Sequence, residues 1–226
     1  MTGAVDRALV VLSGGQDSTT CLYWAVDRFG RDNVSSITFD YGQRHRIELE
    51  CARKVAAAAG VANVCLPIDT FAALGGDALT DASIAVSDET GEQSELPATF
   101  VPGRNLIFLT FAAAYAYRHD TRHLVTGVAQ TDYSGYPDCR EATIVALQEA
   151  ISLGMDREFI MHTPLMHRSK KETVELAVRL GALDAMALTH TCYNGRRPPC
   201  GKCQACRLRA RGFAEAGVRD PLLDTR

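Results

Sequence analysis

The sequence predicts an α/β protein: a doubly wound, mostly parallel sheet with a small cysteine-rich subdomain at its C-terminal end. Three observations predict it. Short apolar runs alternate with segments of helical periodicity, the mark of strand–helix–strand units. Polar stretches, most of them carrying glycine, follow those runs, and ligands of such sheets sit at the carboxyl ends of the strands. Four of the eight cysteines crowd between Cys192 and Cys206, a density that suits a metal site.

The elements follow in order. Ala8 to Leu12 is a continuous apolar run ended by Ser13-Gly14-Gly15, as expected of a strand buried on both faces. Thr19 to Phe29 reads as a helix closed by Gly30. Val34 to Phe39, rich in β-branched residues, is the second strand. Arg46 to Ala59 is a helix that Gly60 stops, and Asn63 to Pro67 is the third strand. Residues 71–100 hold Gly75, Gly76, Gly91 and Pro97 without periodicity, and a loop of that length reads as a lid or a disordered segment. Leu106 to Arg118 is a helix, His123 to Gly127 the fourth strand, Pro137 to Gly154 contains another helix, and Phe159 to Thr163 is a short strand. Ser169-Lys170-Lys171-Glu172 is a capping box that opens a helix running to Leu180. The cysteine cluster and a short helix occupy the rest from about Thr189. The expected division is residues 1–188 as the α/β unit and residues 189–226 as the cysteine-bearing unit.

Composition narrows the function. Hydrophobic residues make up 46% and charged residues 23% of the 226, which argues against a disordered or fibrous chain. A net charge of −3 provides no global field for nucleic acid, so any such contact must be local. The longest apolar stretch, Leu106 to Tyr117, falls well short of the roughly 20 residues a membrane span needs. Met1 to Leu12 lacks the basic start and cleavage site of a signal peptide. A cytoplasmic protein with unpaired thiols is expected.

The loop Ser13-Gly-Gly-Gln-Asp-Ser-Thr-Thr20 joins the first strand to the first helix. Gly14 and Gly15 allow a sharp turn and close approach of a ligand to the backbone. Hydroxyls of Ser13, Ser18 and Thr19, with the N–H groups of a helix start, suit an anion. A plain turn with Asp17 or Ser18 as N-cap is the simpler reading, but it leaves the density of hydroxyls unexplained. The spacing matches neither a Walker loop nor a dinucleotide loop. Ser-Gly-Gly-x-Asp-Ser resembles the PP-loop of the ATP pyrophosphatase superfamily, which binds the pyrophosphate of ATP and adenylates carbonyl or carboxylate groups.

Cys192, Cys200, Cys203 and Cys206 form Cys-x7-Cys-x2-Cys-x2-Cys, suited to a tetrahedral structural zinc or to an iron–sulfur cluster. Adenylation needs no redox partner, which favours zinc, and four protein ligands leave no open position for catalysis. Arg196, Arg197, Lys202, Arg207, Arg209 and Arg211 surround the cluster; they suit an RNA contact, an ATP entrance, a subunit interface or plain solvation.

Further polar stretches follow other elements. In Phe39-Asp-Tyr-Gly-Gln-Arg-His45, Asp40 can meet a ribose hydroxyl or a metal, and Arg44 and His45 a phosphate. In Val101-Pro-Gly-Arg-Asn105, Asn105 is a candidate N-cap and Arg104 a five-donor fork for phosphate or carboxylate. Asp132-Tyr-Ser-Gly-Tyr-Pro-Asp-Cys-Arg140 offers rings to stack on, carboxylates to accept from base N–H donors, and an arginine for an anionic group; alternatively it is a turn capped by Asp138. Lys170 and Lys171 oppose the helix dipole at their position, which a bound phosphate would offset, unless they are ordinary surface lysines.

Taken in order along essentially the whole chain, these motifs closely resemble the QueC family, the 7-cyano-7-deazaguanine synthases of queuosine biosynthesis. Leu12 to Leu22, Asp40 to His45, Val101 to Asn105, Asp132 to Cys139 and the four clustered cysteines carry the resemblance, the last two most specifically. Residues 71–100 are not matched. The resemblance implies an ATP-dependent carbon–nitrogen ligase that converts 7-carboxy-7-deazaguanine and ammonia into a nitrile through an acyl adenylate and an amide. It also implies one structural Zn²⁺ per subunit, Mg²⁺ with ATP, and a homodimer without membrane or direct nucleic-acid partners. On the matching positions, Leu12, Ser13, Gly14, Gly15, Gln16, Asp17, Ser18, Thr19, Thr20, Cys21 and Leu22 are the ATP segment. Arg104, Lys170 and Asp17 are the catalytic candidates, and Asp132, Tyr136, Asp138 and Arg140 face the deazapurine. No covalent nucleophile is required; Cys139 is the residue to test if one exists. The rivals are a PP-loop enzyme that adenylates a base within tRNA and a non-catalytic ATP-binding zinc protein. No glutaminase segment is recognisable, so free ammonia or a separate donor is implied.

Overall fold

The computed structural model describes residues 6–43, 46–71, 100–130 and 136–223. Five parallel strands form one sheet in the order β3-β2-β1-β4-β5. They are β1 Ala8–Val11, β2 Val34–Asp40, β3 Ala62–Pro67, β4 His123–Val125 and β5 Ile160–His162. β1 lies between β2 and β4, with Ala8 opposite both Val34 and His123. The order therefore runs one way from β1 to β3 and the other way from β4 to β5, which places a topological switch point between β1 and β4.

Among the described residues, six α-helices accompany the sheet: α1 Gln16–Phe29, α2 Ile47–Ala59, α3 Arg104–Arg118, α4 Glu141–Gly154, α5 Lys170–Arg179 and α6 Gln204–Glu215. Alternation along β1 shows how they divide. Ala8 and Val10 pack with Leu22 and Ala25 of α1 and Val55 of α2 on one face. Leu9 packs with Ala112, Ala113 and Ala116 of α3 and Ile151 of α4 on the other. Both faces are covered, which is why the strand reads as an unbroken apolar run.

The expected fold class is present, and most elements lie within two residues of their expected bounds. The differences come from caps. α1 starts at Gln16 rather than Thr19, because Gly15 takes the N-cap position in extended backbone, and neither Asp17 nor Ser18 caps it. α3 starts at Arg104, and its N-cap is Gly103 in the left-handed region, not Asn105. The Asn105 N–H donates instead to Asp138 Oδ2 at 3.1 Å, so Asp138 caps a helix that precedes it by 33 positions. The capping box at Ser169 and Glu172 is formed as expected, with both reciprocal bonds present. Among the described residues, no helix is long and apolar enough to cross a membrane.

Candidate active site

A cavity of about 330 Å³ opens at the switch point, within the size range of small-molecule sites. Its walls come from the ends of three strands and from the C-terminal segment. After β1 stand Ser13 and Gly15 to Ser18, after β2 Tyr41 and Gln43, and after β4 Thr126 to Ala129. Arg104 enters from α3, Lys170 from α5, and His190, Tyr193 and Arg209 from the residues around the cysteines.

The loop after β1 is braced before any ligand arrives. The Ser13 and Ser18 hydroxyls are 3.0 Å apart, and Ser18 and Thr19 donate to the Gly15 carbonyl at 3.2 and 2.8 Å. Gly14 has φ +83° and lies under α2: a Cβ there would stand 2.5 Å from the Glu48 carbonyl oxygen. Its own carbonyl accepts the His190 N–H at 2.9 Å, which ties the C-terminal segment to the loop. Gly127, after β4, is also cramped, though less so, since a Cβ there would meet the Ser18 nitrogen at 3.0 Å. The two glycines let the loop approach α2 and the β4 end approach α1.

Within the expected ATP segment, Leu12, Ser13, Gly15, Gln16, Asp17 and Ser18 line the cavity. Gly14, Thr19, Thr20, Cys21 and Leu22 lie outside the lining. Thr20 bonds back to the Gln16 carbonyl, the Cys21 thiol faces the Thr126 carbonyl, and Leu22 is in the core. Burial, aided by the nearby Asp17 charge, raises the Cys21 thiol well above its ordinary pKa and so makes it an inert packing group.

Lys170 and Asp17 meet across the cavity, Nζ to Oδ2 at 2.7 Å. Neither is a surface residue, and Lys171, by contrast, is exposed and pairs with Glu175 one turn on. The other Asp17 oxygen, Oδ1, and the Gln16 amide nitrogen are buried without a hydrogen-bond partner. Buried orphans of this kind are rare and mark where a ligand's polar atoms belong. A divalent cation or a ligand N–H or O–H donor fits Asp17 Oδ1, and a phosphate oxygen fits the Gln16 amide.

Burial pulls on the Arg104 guanidinium, but the Tyr41, Tyr136 and Tyr193 phenols and Asp138 outweigh it and hold the charge firmly in place. Arg104 lies 5.8 Å over the Tyr41 ring. Tyr136 lines the cavity, whereas Asp138 is buried behind it as the α3 cap and Arg140 is exposed as the N-cap of α4. Cys139 also lines the cavity, and the Asn105 amide donates to its sulfur at 3.2 Å. Asp40 is engaged by Arg46 rather than aimed at a ligand. Asp132, Arg44 and His45 lie outside the described residues. Glu48, Tyr41, His190 and Tyr193 line the site although no motif reasoning selected them.

The four clustered cysteines converge. The sulfurs of Cys192, Cys200, Cys203 and Cys206 all lie within 4.8 Å of one another, with Cys200 and Cys206 at 3.9 Å. Metal–sulfur bonds of about 2.3 Å in a tetrahedron require sulfur separations just under 4 Å, so the set fits a metal ion. Backbone N–H groups of Cys203 and Lys202 donate to Cys200 Sγ at 3.3 and 3.4 Å, as they would to a thiolate. One residue of the surrounding basic group is not on the surface. Arg209 is buried in a two-pronged pair with Asp220 (2.7 and 2.8 Å) and also donates to Thr189. That pair folds the C-terminal segment onto the cavity wall.

Comparisons with known proteins agree with one another. Residues 7–217 match the family model described as "Queuosine biosynthesis protein QueC". The chain is 68% identical to a 7-cyano-7-deazaguanine synthase from Chromobacterium violaceum, covering 97% of this chain and 94% of that protein. It is 63% identical to one from Laribacter hongkongensis (97% and 95%) and 49% identical to one from Lysinibacillus sphaericus (93% and 95%). A family model spanning almost the entire described fold, and relatives matched over nearly their full length at this identity, leave one assignment: the chain belongs to the QueC family of queuosine biosynthesis proteins.

Proposed function

We propose that this protein is an ATP-dependent 7-cyano-7-deazaguanine synthase that joins ammonia to 7-carboxy-7-deazaguanine and dehydrates the resulting amide to the nitrile. The observation that carries the reading is the pair of orphaned buried atoms, Asp17 Oδ1 and Gln16 Nε2, in the switch-point cavity beside Lys170 and Arg104. A carboxylate is a poor leaving group, and transfer of AMP onto its oxygen makes a good one. The same transfer onto the amide oxygen permits its loss with formation of the C≡N bond. Ser13, Gly15 and Ser18 hold the departing pyrophosphate, and Lys170 and Arg104 stabilise the negative charge that develops as the α–β bond breaks. Mg²⁺ held by Asp17 would neutralise phosphate charge. Tyr136, with Asp132, Asp138 and Arg140 of the same loop, recognises the deazapurine. Asp138 acts by holding the α3 end, since it caps Asn105.

The bound metal is one structural Zn²⁺ in a closed set of four thiolates. Residues 1–188 form the ATP-binding unit and residues 189–226 the zinc unit, which lends His190, Tyr193 and Arg209 to the cavity wall. The protein works in the cytoplasm as a homodimer on small molecules, without direct nucleic-acid contact. Exposed Phe111 of α3 and Val145 and Leu153 of α4 support a covered face there.

The test is direct. Purified protein with ATP, Mg²⁺, ammonium and 7-carboxy-7-deazaguanine is expected to yield the nitrile with AMP and pyrophosphate by mass spectrometry. Intact ATP, or AMP formed only when tRNA is added, would overturn this reading.

A further inference from the structure

Glu48 stands in the first turn of α2 and lines the cavity. Gly14, having no side chain, lets this turn rest directly on the loop after β1, so Glu48 is held beside the site of phosphate chemistry. Asp17 is the other carboxylate among the described residues of the lining, and Lys170 already holds it. Glu48 has neither a hydrogen bond nor an ion pair among the described residues; Arg104 is the charge that acts on it. Its carboxyl is closely surrounded by protein while keeping part of its surface on the cavity. Burial pushes it up to about 7, against the opposing pull of Arg104. The remaining titratable groups of the wall, among the described residues, are Tyr41, Tyr136, Cys139, Tyr193, His190 and Arg209.

We propose that Glu48 is the ammonium-binding residue and proton acceptor of the amide-forming step. Resting on the synthase reading above, this assigns the subsite of the second substrate. Ammonia in neutral water is almost entirely ammonium, which has no lone pair and cannot attack. The Glu48 carboxylate binds ammonium as an ion pair and accepts one proton. The nitrogen lone pair then forms the C–N bond to the acyl carbon, and the C–O bond to the adenylate breaks, with AMP taking the electron pair. The surplus proton on nitrogen passes to the departing phosphate, leaving the neutral amide. An acceptor that titrates near neutrality suits this exchange, being charged enough to bind and basic enough to take the proton.

The wild-type protein supplies the first test. With Glu48 as acceptor, kcat/KM for total ammonia rises up to about pH 7 and then levels off before ammonium itself titrates. A continuous rise of about tenfold per pH unit to pH 9 means that free ammonia from solution reacts unaided, and overturns the proposal. The second test is E48Q, read by two assays. Substrate-dependent pyrophosphate–ATP exchange without ammonia reports adenylation, and amide formation reports nitrogen attack. Amide formation from ammonium is expected to fall about 100-fold or more while exchange stays within about threefold. Hydroxylamine, largely unprotonated at neutral pH, should still trap the adenylate at near wild-type rate. Loss of exchange together with amide formation would give Glu48 to ATP binding or folding and overturn the proposal. Failure of the wild-type protein to show exchange at all would instead remove the synthase reading, so the two failures are distinct.

Discussion

The switch-point cavity and the cysteine cluster are built on opposite plans. Around the cavity, polar groups are left unfinished: Asp17 Oδ1 and Gln16 Nε2 have no partners, and Glu48 is under the charge of Arg104 with no ion pair among the described residues. In the cluster the sulfurs face one another and nearby N–H groups, and the adjoining Arg209 is fully engaged by Asp220 and Thr189. An unfinished polar site stores binding capacity for a ligand, whereas a closed one stores stability. Substitutions in the cluster should therefore move stability first, and substitutions in the cavity should move activity first.

The largest expected effect is that of Cys203→Ser. It removes one of the four thiols of the candidate metal site, at the start of α6, so metal content should fall from the proposed one ion per chain to near zero. Metal analysis and a thermal melt check this, with Tm expected about 10 °C lower. On the role proposed for Lys170, Lys170→Ala should instead lower kcat/KM about 100-fold or more with Tm changed by no more than a few degrees, because the lost charge would serve the transition state. If the lysine variant melted early and the cysteine variant kept its metal, the contrast between the regions would be void.

Gly212 sharpens the contrast because it joins the two regions. A Cβ at this position of α6 would stand 2.8 Å from Lys170 Cβ and 3.0 Å from the Lys170 carbonyl. Gly212→Ala should cost about 1–3 kcal/mol by overpacking and, by pushing Lys170, raise the KM for ATP about tenfold. Steady-state kinetics beside a urea melt will separate the two effects.

The smallest effect concerns Glu48. Its carboxyl titrates near 7 when folded and near 4.5 when unfolded, so the folded state binds the proton more tightly. Its contribution is fully present below about 4.5 and lost as pH rises through 7. E48Q escapes that loss. It should melt a few degrees above the wild type at pH 8 and show no such gain at pH 5, about 2 kcal/mol after allowance for the part of Glu48 that meets solvent. Melts across this range check the sign.

What was legible in the sequence follows from how local each cause is. A strand buried on both faces must be apolar throughout, so Ala8 to Val11 declares itself. Ser169 and Glu172 sit three apart and cap each other, so that helix start is readable as well. Asp138 capping α3 was not, because its partner is set by how the loop returns across the end of the sheet. Arg209 looked like one more surface charge because Asp220, which buries it, is a tertiary neighbour. Glu48 was invisible for a different reason. A glutamate in the first turn of a helix ordinarily answers the helix dipole, and only the contact of Gly14 with that turn puts it beside the loop after β1. The four cysteines needed no such help, since their spacing alone limits where their sulfurs can meet.

Strand order also has a consequence for how the chain is made. Ala8 of β1 pairs with Val34, available early, and with His123, which is translated more than a hundred residues later. At ordinary elongation rates the wait is on the order of ten seconds. For that interval one side of β1 is an open edge of apolar backbone in a half-made sheet, the kind of surface that recruits wrong strands and chaperones alike. The crevice between β1 and β4 thus takes shape only once β4 has left the ribosome, and its walls are completed later still, by Lys170, His190 and Arg209.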